Sequence, residues 1–457
     1  MKVENNLGTD SITRLVFRMA IPSMLAQFVS VLYSIVDRMY IGNIPKIGAA
    51  ALAGVGVCGP VITMIGSIAF WVGIGATPLI SIRMGEENLP AAKKIVANAF
   101  LLMGVLSLLA GTAAFLFREP MLLLFGASPS TYLYAEEYFS AYLAGTLFAV
   151  LATGMNQIII CQGFAKVGMA SVMIGAVSNI VLDPVFIFLF DMGVRGAAVA
   201  TVLSQLFSCI FVLRFLFHKS LPAPITFGSY CLQTMGKILW MGLTPFLIIA
   251  IDNVMIIAMN AVLQHYGGPQ RGDALVTCAT IVQSFMLVIT MPLGGISGGT
   301  QTILGYNYGS GDTGRVKQAQ KRIILMCAGY TALLLLFAQT ASPLFIRMFT
   351  QDPALVHQAE WAIRVYTLGV IPLGVQYAIV DGFTGIGKVN LSLPLSFFRK
   401  LVYFVSLFLL PFLLEAEYTF FAETISDFLG PAASITVFLL LNRRILTRRE
   451  KELGLYS

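Results

Sequence analysis

The sequence predicts an all-α polytopic membrane protein with twelve transmembrane helices, arranged as two six-helix bundles that are parallel repeats. Three observations predict this fold class: the composition, the length of the apolar runs and an internal repeat. Hydrophobic residues make up 57% of the 457 residues and charged residues only 11%, whereas a soluble domain carries about 25% charged residues. The mean hydropathy of +0.83 is also typical of a chain that lies mostly in lipid.

The apolar runs are long enough for helices, which need about 20 residues to cross the hydrocarbon core. The alternating segments of a transmembrane barrel are not found. Gly, Pro and charged residues mark the ends of the runs. The predicted helices are 14–41, 50–83, 94–117, 131–153, 166–190, 195–217, 235–263, 274–304, 318–340, 357–378, 391–414 and 418–442. Arg399 and Lys400 fall inside the eleventh run, which leaves the start of that helix open.

Basic residues accumulate in the connections that follow even-numbered helices and in the C-terminal tail. The positive-inside rule therefore places both termini in the cytoplasm of a multi-pass protein of the cytoplasmic (inner or plasma) membrane. The net charge of +7 follows this topology and indicates no nucleic-acid partner. The first apolar run is preceded by a short polar segment without a convincing cleavage site, so we interpret it as a retained helix.

The two halves of the chain resemble each other at an offset of about 222–224 residues. RMAIPSML aligns with WMGLTPFL, RMGEENLPAAKK with NYGSGDTGRVKQ, and YLAG with YTLG, which pairs Gly145 with Gly369. We therefore expect an N-terminal lobe over 1–222 and a C-terminal lobe over 223–457. Because each half holds an even number of helices, both enter the membrane in the same sense, as in transporters with parallel repeats.

Two carboxylates lie inside apolar helices: Asp37 in VSVLYSIVDRMYIG and Asp183 in SNIVLDPVFIFLF. An intramembrane charge costs about 3 kcal/mol on insertion scales and usually marks an ion or substrate path. Asn179 precedes Asp183 by one helical turn and shares its face, and Thr201 offers a further oxygen from the sixth helix. These four residues are the candidate cation site, and they would be the metal ligands if the cation is Na⁺. The alternative is that Asp37 reaches water beside Arg38.

Pro22 and Asn156 each allow a functional and a structural interpretation. Pro22 lies inside the first helix, where it removes a backbone hydrogen bond. It would act as a hinge or as a static kink. Asn156, near the end of the fourth helix, would contact substrate or hydrogen-bond between helices.

The C-terminal half carries further acids. Asp252 lies in the seventh helix, and Glu423 and Asp427 lie one turn apart in the twelfth. Asp252 and Asp427 are candidates for a substrate or second coupling site, against packing or solvent-facing alternatives. Asp381 is predicted in a loop before Gly382.

The sequence indicates no enzyme. GVGVCG matches a dinucleotide fingerprint, but no strand frames it. No HExxH or Walker motif occurs, and the six cysteines lie singly in or beside apolar runs, as small core residues do. We therefore expect no cofactor beyond a coupling ion.

The chain resembles the MATE (multidrug and toxic compound extrusion) transporters over nearly its whole length. The resemblance rests on the duplicated six-helix halves, Pro22 fifteen residues before Asp37, the NIVLD block, and the ALAGVG and YNYG segments. The acid pair in the N-terminal half is similar to the DinF-like branch. Ser30 departs from some relatives, which have Gln there.

This resemblance implies a V-shaped central cavity between two lobes and export of substrate as Na⁺ or H⁺ enters. It also implies roles for the residues already singled out. Asp37, Asn179, Asp183 and Thr201 would line the cation site, and Pro22 would be the bend point of the first helix.

Together these observations favour a secondary active antiporter that exports amphipathic or cationic organic compounds. Its expected partners are small organic molecules and the lipid bilayer, and we expect a monomer. One alternative is a flippase for lipids or lipid-linked glycans, which would need a strongly cationic cavity, with Arg364 as one candidate residue. The other is a non-coupled channel or scaffold, which would show no counterflow.

Overall fold

The computed structural model describes residues 5–454, apart from the side chains of Ala49, Pro269 and Gln270. The described residues form helices and connecting segments, with no β-strand among them. The predicted all-α fold class is therefore confirmed.

The N-terminal part of the chain holds nine α-helices and one π-helical turn in the described residues. They are α1 Ile12–Gly42, α2 Gly48–Gly85, α3 Leu89–Leu116, α4 Arg118–Leu124, α5 Tyr132–Leu143, α6 Thr146–Cys161, α7 Ala165–Pro184, the π-turn Val185–Leu189, α8 Gly193–Leu216 and α9 Leu232–Met241.

The C-terminal part continues with six α-helices and one 3₁₀ turn. They are α10 Leu243–Gly309, α11 Thr313–Ile346, α12 Pro353–Tyr366, α13 Val370–Gly385, α14 Val389–Leu413, the 3₁₀ turn Ala416–Phe420 and α15 Phe421–Glu452. α10 is two helices in series, because Gly268 breaks it with a φ of 65°.

Ten helices of the described chain are long and apolar enough to cross a membrane, and two bent pairs raise the number to twelve if each pair is one span. The pairs are α5 with α6, bent by 57°, and α12 with α13, bent by 46°. They correspond to the predicted fourth and tenth helices, which the apolar pattern alone showed as straight.

Both bends lie at glycines that the repeat pairs with each other, Gly145 and Gly369. A Cβ atom on Gly145 would lie 2.5 Å from Val202 of α8, and one on Gly369 would lie 2.5 Å from Asp427 of α15. Each glycine therefore lets a neighbouring helix approach the bend closely. The internal repeat thus extends from the sequence to the packing of each bundle.

The repeat also preserves a helix cap. Asn88 accepts a hydrogen bond from the Ala91 N–H at 3.1 Å and caps α3. Asp312, its repeat partner, accepts one from the Arg315 N–H at 2.9 Å and caps α11. Each cap satisfies a backbone donor that the helix itself leaves open.

Two compact units divide the chain. One consists of Ile21–Ile249 with the segment that ends at Thr9, and the other of Asp10–Ala20 with the segment that begins at Ala250. α9 and the first turn of α10 belong to the first unit because they pack on α2. The Trp71 indole donates to the Leu239 carbonyl at 2.9 Å and stacks on Phe246 at 4.3 Å between ring centroids.

These units therefore differ from the sequence halves at the start of α1 and over 223–249. The division at 222/223 lies in the segment between α8 and α9. The division of the chain into lobes at 222/223 stays a prediction, which is based on the repeat.

Each unit has its own apolar core. The first is built around Phe139, Ile41 and Leu122, and the second around Phe285, Met259 and Phe420. The cysteines are free, and all but Cys231 are buried, which agrees with their predicted role as small core residues. Cys231 instead lies just before α9.

Candidate functional site

The structure brings together the two predicted intramembrane acids of the N-terminal unit. Asp37 comes from α1 and Asp183 from α7, and their carboxyl groups are close enough to interact directly. A carboxylate is only an acceptor, so a hydrogen bond between the two groups would need a proton on one of them. Asp183 is fully buried. Asp37 is half-buried although its neighbour Arg38 is exposed.

Asn179 joins the acid pair to the next helix. Its Nδ2 donates to Asp183 Oδ1 at 3.1 Å and to Thr201 Oγ1 of α8 at 3.3 Å. The Thr201 hydroxyl in turn donates to the Ala197 carbonyl at 3.0 Å. The four predicted residues thus form one contiguous group of oxygen and amide atoms on three helices.

Three oxygen atoms of this group are buried without a hydrogen-bond partner among the described residues: Asp37 Oδ1, Asp183 Oδ2 and Asn179 Oδ1. Leaving a buried polar atom unsatisfied costs about 1–3 kcal/mol, and more for a charged group. A cation or proton held among these atoms would remove that cost. The arrangement can therefore bind a small positive ion.

The α-helical part of α7 ends at Pro184, one residue after Asp183. Pro184 follows Asp183 and has no N–H, so it cannot donate to the carbonyl one turn earlier. Residues Val185–Leu189 then form the π-turn, a type of segment that often occurs at functional sites. The irregular backbone therefore begins close to Asp183, inside the continuous span Ala165–Leu189.

Sequence reasoning missed a group of tyrosines around the acids. The Asp37 charge acts on both Tyr33 and Tyr138. Tyr138 is buried and stacks on Tyr142 at 6.1 Å between ring centroids, and Gln205 Nε2 donates to the Tyr142 hydroxyl at 3.4 Å. The four-residue spacing of Tyr138 and Tyr142 was the only available signal, and such spacing is common in any buried helix face.

Pro22 lies inside α1, which continues as one helix from Ile12 to Gly42. The boundary between the two compact units falls just before it, between Ala20 and Ile21. The hinge role of Pro22 stays a prediction.

Asn156 is buried in α6 and is packed away from the acid pair. Its Oδ1 faces Gly168, where an added Cβ would lie 3.2 Å from it. Gly168 and Asn179 are separated by 11 residues of α7, which corresponds to roughly 16 Å along the helix. Asn156 is therefore not part of the candidate cation site, and its contact with substrate stays a prediction.

A second charged cluster lies in the C-terminal unit, between α14 and α15. Arg399 Nη1 donates to Glu423 Oε1 and to Asp427 Oδ1, both at 3.0 Å. Lys400 pairs with Asp252 of α10. Arg399 and Lys400 are 8% and 5% exposed, and charges buried to this degree are stable only when paired.

This cluster explains the two basic residues that left the start of the eleventh predicted helix open. α14 begins at Val389, so Arg399 and Lys400 lie in its interior and not at its end. Asp252 and Asp427, the candidates for a substrate or second coupling site, are their ion-pair partners. Asp427 also keeps one buried oxygen, Oδ2, without a partner, and its transport role stays a prediction.

The prediction that Asp381 lies in a loop is wrong. Asp381 is in α13, which continues to Gly385, and its carboxylate lies near the side chains of Ser297 and Gln301 of α10. Gly382 does not end the helix. A Cβ there would lie 2.3 Å from Gln320 Oε1, so this glycine accommodates the neighbouring helix.

Comparison with known proteins gives one family. The MatE family model matches residues 22–185 and 246–437, which is more than half of the chain. The multidrug export protein MepA of Staphylococcus aureus is 22% identical over 430 residues, which cover 93% of each chain. The FAD transporter of Shewanella oneidensis is 26% identical over 385 residues, 82% of each chain.

Solved structures show the same fold. A multidrug resistance MATE family transporter in an outward-facing conformation superposes with a TM-score of 0.88 at 23% identity, covering 99% of both chains. A MOP superfamily transporter from Pyrococcus furiosus gives a TM-score of 0.89 at 24% identity, covering 97% of this chain and 98% of the other.

Proposed function

Because this chain belongs to the MatE family, whose members are transporters and not enzymes, we propose that it is a secondary active antiporter of amphipathic or cationic organic compounds. In this proposal Na⁺ or H⁺ entry drives export. The chain is a multi-pass membrane protein. The name of the staphylococcal relative, a multidrug export protein, supports drugs and toxins as the substrate class.

The observation that carries the coupling proposal is the close pair of acids Asp37 and Asp183. The pair joins α1 to α7 only when it holds a proton or another cation, because two bare carboxylates repel each other. Loading and unloading the ion therefore changes how these two helices pack. A substrate that binds one packing arrangement better than the other is coupled to the ion through this difference.

The cycle begins with the site open to the outside, where the high cation concentration neutralises Asp37 and Asp183. The resulting change in helix packing weakens substrate binding, so the substrate leaves. The loaded protein then turns inward and releases the cation, and new substrate binds. Asn179 and Thr201 hold Asp183 in place through both states.

Different features of the site support each of the two ions. The closeness of the two carboxyl groups supports H⁺, because a proton shared between them would remove their mutual repulsion. The three unpartnered oxygens of Asp37, Asp183 and Asn179, with the Thr201 hydroxyl nearby, support Na⁺, which prefers several hard oxygen ligands as other hard cations do.

The structure offers little support for a flippase that holds a phosphate in a cationic cavity. Arg399 and Lys400 are already paired with carboxylates. Arg364 pairs with Glu360, and its side chain is 45% exposed. The same proposal includes four further points. The chain belongs to the DinF-like branch, both of its termini are cytoplasmic, it is a monomer, and its substrates are small organic molecules.

Drug susceptibility of an efflux-deficient bacterium tests the proposed function. Cells that express wild type are expected to survive higher concentrations of cationic dyes and drugs than cells with Asp37→Asn or Asp183→Asn. Asp191→Asn is the matched control, because Asp191 is exposed in the turn before α8. Equal protection by all four proteins, at equal membrane levels, would show that the acid pair does not couple export.

A further inference from the structure

A cleft opens between α11 and α15 in the C-terminal unit, and none of its lining residues belongs to the acid pair or to the Arg399 cluster. Its volume is about 320 Å³, at the lower end of the range of small-molecule sites. Seven residues line it: Lys317, Gln320, Lys321, Ile324, Leu325, Phe438 and Asn442.

α13 lies behind the cleft and contacts a lining residue on each of its two walls. Gln320 Nε2 donates to the Ala378 carbonyl of α13 at 2.7 Å. Phe438 of α15 rests against Phe383 of α13, with 6.0 Å between ring centroids. Since α13 packs on both walls, α11 and α15 are held apart and the cleft is a fixed feature of the bundle.

Polarity changes along the cleft in the same direction on both walls. On α11, Lys317 and Lys321 lie one to two turns before Ile324 and Leu325. On α15, which runs the opposite way, Phe438 lies one turn before Asn442. The cleft therefore has a cationic, hydrogen-bonding end near the helix termini and an apolar end deeper in the bundle. A phospholipid has a matching arrangement, with a charged headgroup at one end and apolar acyl chains at the other.

The cationic end is not neutralised by the protein. Lys317 and Lys321 are exposed and have no ion-pair partner in the described part of the chain. No carboxylate occurs among the described lining residues. Arg443 and Arg444, also exposed, follow Asn442 directly. An anionic ligand would thus meet several unpaired positive charges at the level where α11 begins.

We propose that this cleft binds an anionic phospholipid. Its phosphate contacts the ammonium groups of Lys317 and Lys321, and the Asn442 amide hydrogen-bonds to the headgroup. The acyl chains extend along Leu325 and Phe438. Basic pockets between transmembrane helices commonly hold anionic headgroups in this way. The inference requires only that these helix ends meet a headgroup layer, so it does not depend on the transport cycle.

Native mass spectrometry of the full chain in detergent, titrated with phosphatidylglycerol, tests the proposal. A lysine near an anionic lipid surface contributes a factor of about five to binding, so Lys317→Gln/Lys321→Gln is expected to weaken it roughly 25-fold. Lys317→Arg/Lys321→Arg keeps both charges and is expected to retain binding. Phosphatidylcholine, which has no net charge, is expected to bind wild type and the glutamine variant alike.

Lys93→Gln/Lys94→Gln is the matched control. Lys93 is the repeat partner of Lys317, so this variant removes the same charge from the corresponding helix of the other unit. Its phosphatidylglycerol binding is expected to equal that of wild type. An equal loss in this control would show non-specific attraction and overturn the proposal.

Two further measurements show whether the ligand is a lipid and whether a loss of binding comes from misfolding. Leu325→Asn leaves both lysines in place and is expected to weaken phosphatidylglycerol binding, because it removes an apolar contact at the deep end. Soluble glycerol phosphate is expected to bind far more weakly than the lipid. The proposal is wrong if glycerol phosphate binds as tightly as phosphatidylglycerol, or if the glutamine variant, with an unchanged melting temperature, retains the lipid.

Discussion

Asp37 of α1 and Asp183 of α7 are far apart in the sequence, yet their carboxyl groups interact directly inside the N-terminal unit. Asn179 fixes Asp183 from one side, and three oxygens of the group have no other partner in the described chain. In the proposed cycle the pair has two packing states, with and without a bound positive ion. Coupled transport requires such a two-state element.

The Thr201 hydroxyl should contribute to cation affinity. Thr201→Val keeps the shape of the side chain but removes the acceptor for Asn179. A lost hydrogen bond costs about 1 kcal/mol, so the cation concentration for half-maximal transport is expected to rise roughly fivefold. Thr201→Ser keeps the hydroxyl and should leave that concentration near the wild-type value. The hydroxyl has no role if both variants behave alike in cation-dependent transport.

The Arg399 cluster should be a stability element. Arg399→Met leaves Glu423 and Asp427 buried without their cation, and breaking such a pair costs about 3–5 kcal/mol. The variant is expected to melt at a clearly lower temperature in detergent. Adding Glu423→Gln and Asp427→Asn removes the unpaired charges and is expected to recover much of the loss. A single variant as stable as wild type would contradict the buried triad.

The bend at Gly145 should tolerate no larger residue while Val202 is present. A Cβ atom at Gly145 would lie 2.5 Å from the Val202 side chain, and overpacking of this kind costs about 1–3 kcal/mol. Gly145→Ala is expected to lower the melting temperature, and adding Val202→Ala should restore it. If the two substitutions were simply additive in a double-mutant cycle, this close approach would be ruled out.

Cys231 should be the most reactive thiol and report the membrane topology. The nearby backbone N–H groups of Thr234 and Gln233 at the start of α9 lower the pKa of the Cys231 thiol, and the other five cysteines are buried. A lowered pKa leaves more thiolate at neutral pH, which speeds reaction with maleimides. Labelling should therefore begin at a lower pH than for an ordinary cysteine.

The same label tests the orientation. A membrane-impermeant maleimide is expected to modify Cys231 in inverted vesicles and not in intact cells, and Cys231→Ser should abolish the labelling. Modification in intact cells would place the segment between α8 and α9 outside and contradict the proposed cytoplasmic termini.

The features that were predictable from the sequence are those that depend on local spacing or on the repeat. Asn179 and Asp183 share a helix face because of their four-residue spacing, and the pairing of Gly145 with Gly369 follows from the alignment. The closeness of Asp37 to Asp183 was not predictable from spacing, because it depends on how α1 packs against α7.

Other features could not be predicted from the sequence, because the same residue type occurs both at helix ends and at close contacts inside helices. Gly382 resembles a helix end, but it admits Gln320, so Asp381 was misplaced in a loop. Arg399 and Lys400 are charged, and charge alone suggested that a helix begins near them. Their acids, Asp427 and Asp252, lie on other helices, and no sequence spacing relates them.

The most direct test of the coupling claim is substrate transport into or out of proteoliposomes under separately imposed sodium and pH gradients. Wild type should move substrate against its gradient when at least one of the two cation gradients is present, with stoichiometric counterflow of that cation. Asp37→Asn and Asp183→Asn should lose this uphill movement. Uphill transport by either variant at the wild-type rate, or substrate movement in wild type without any cation counterflow, would contradict the account.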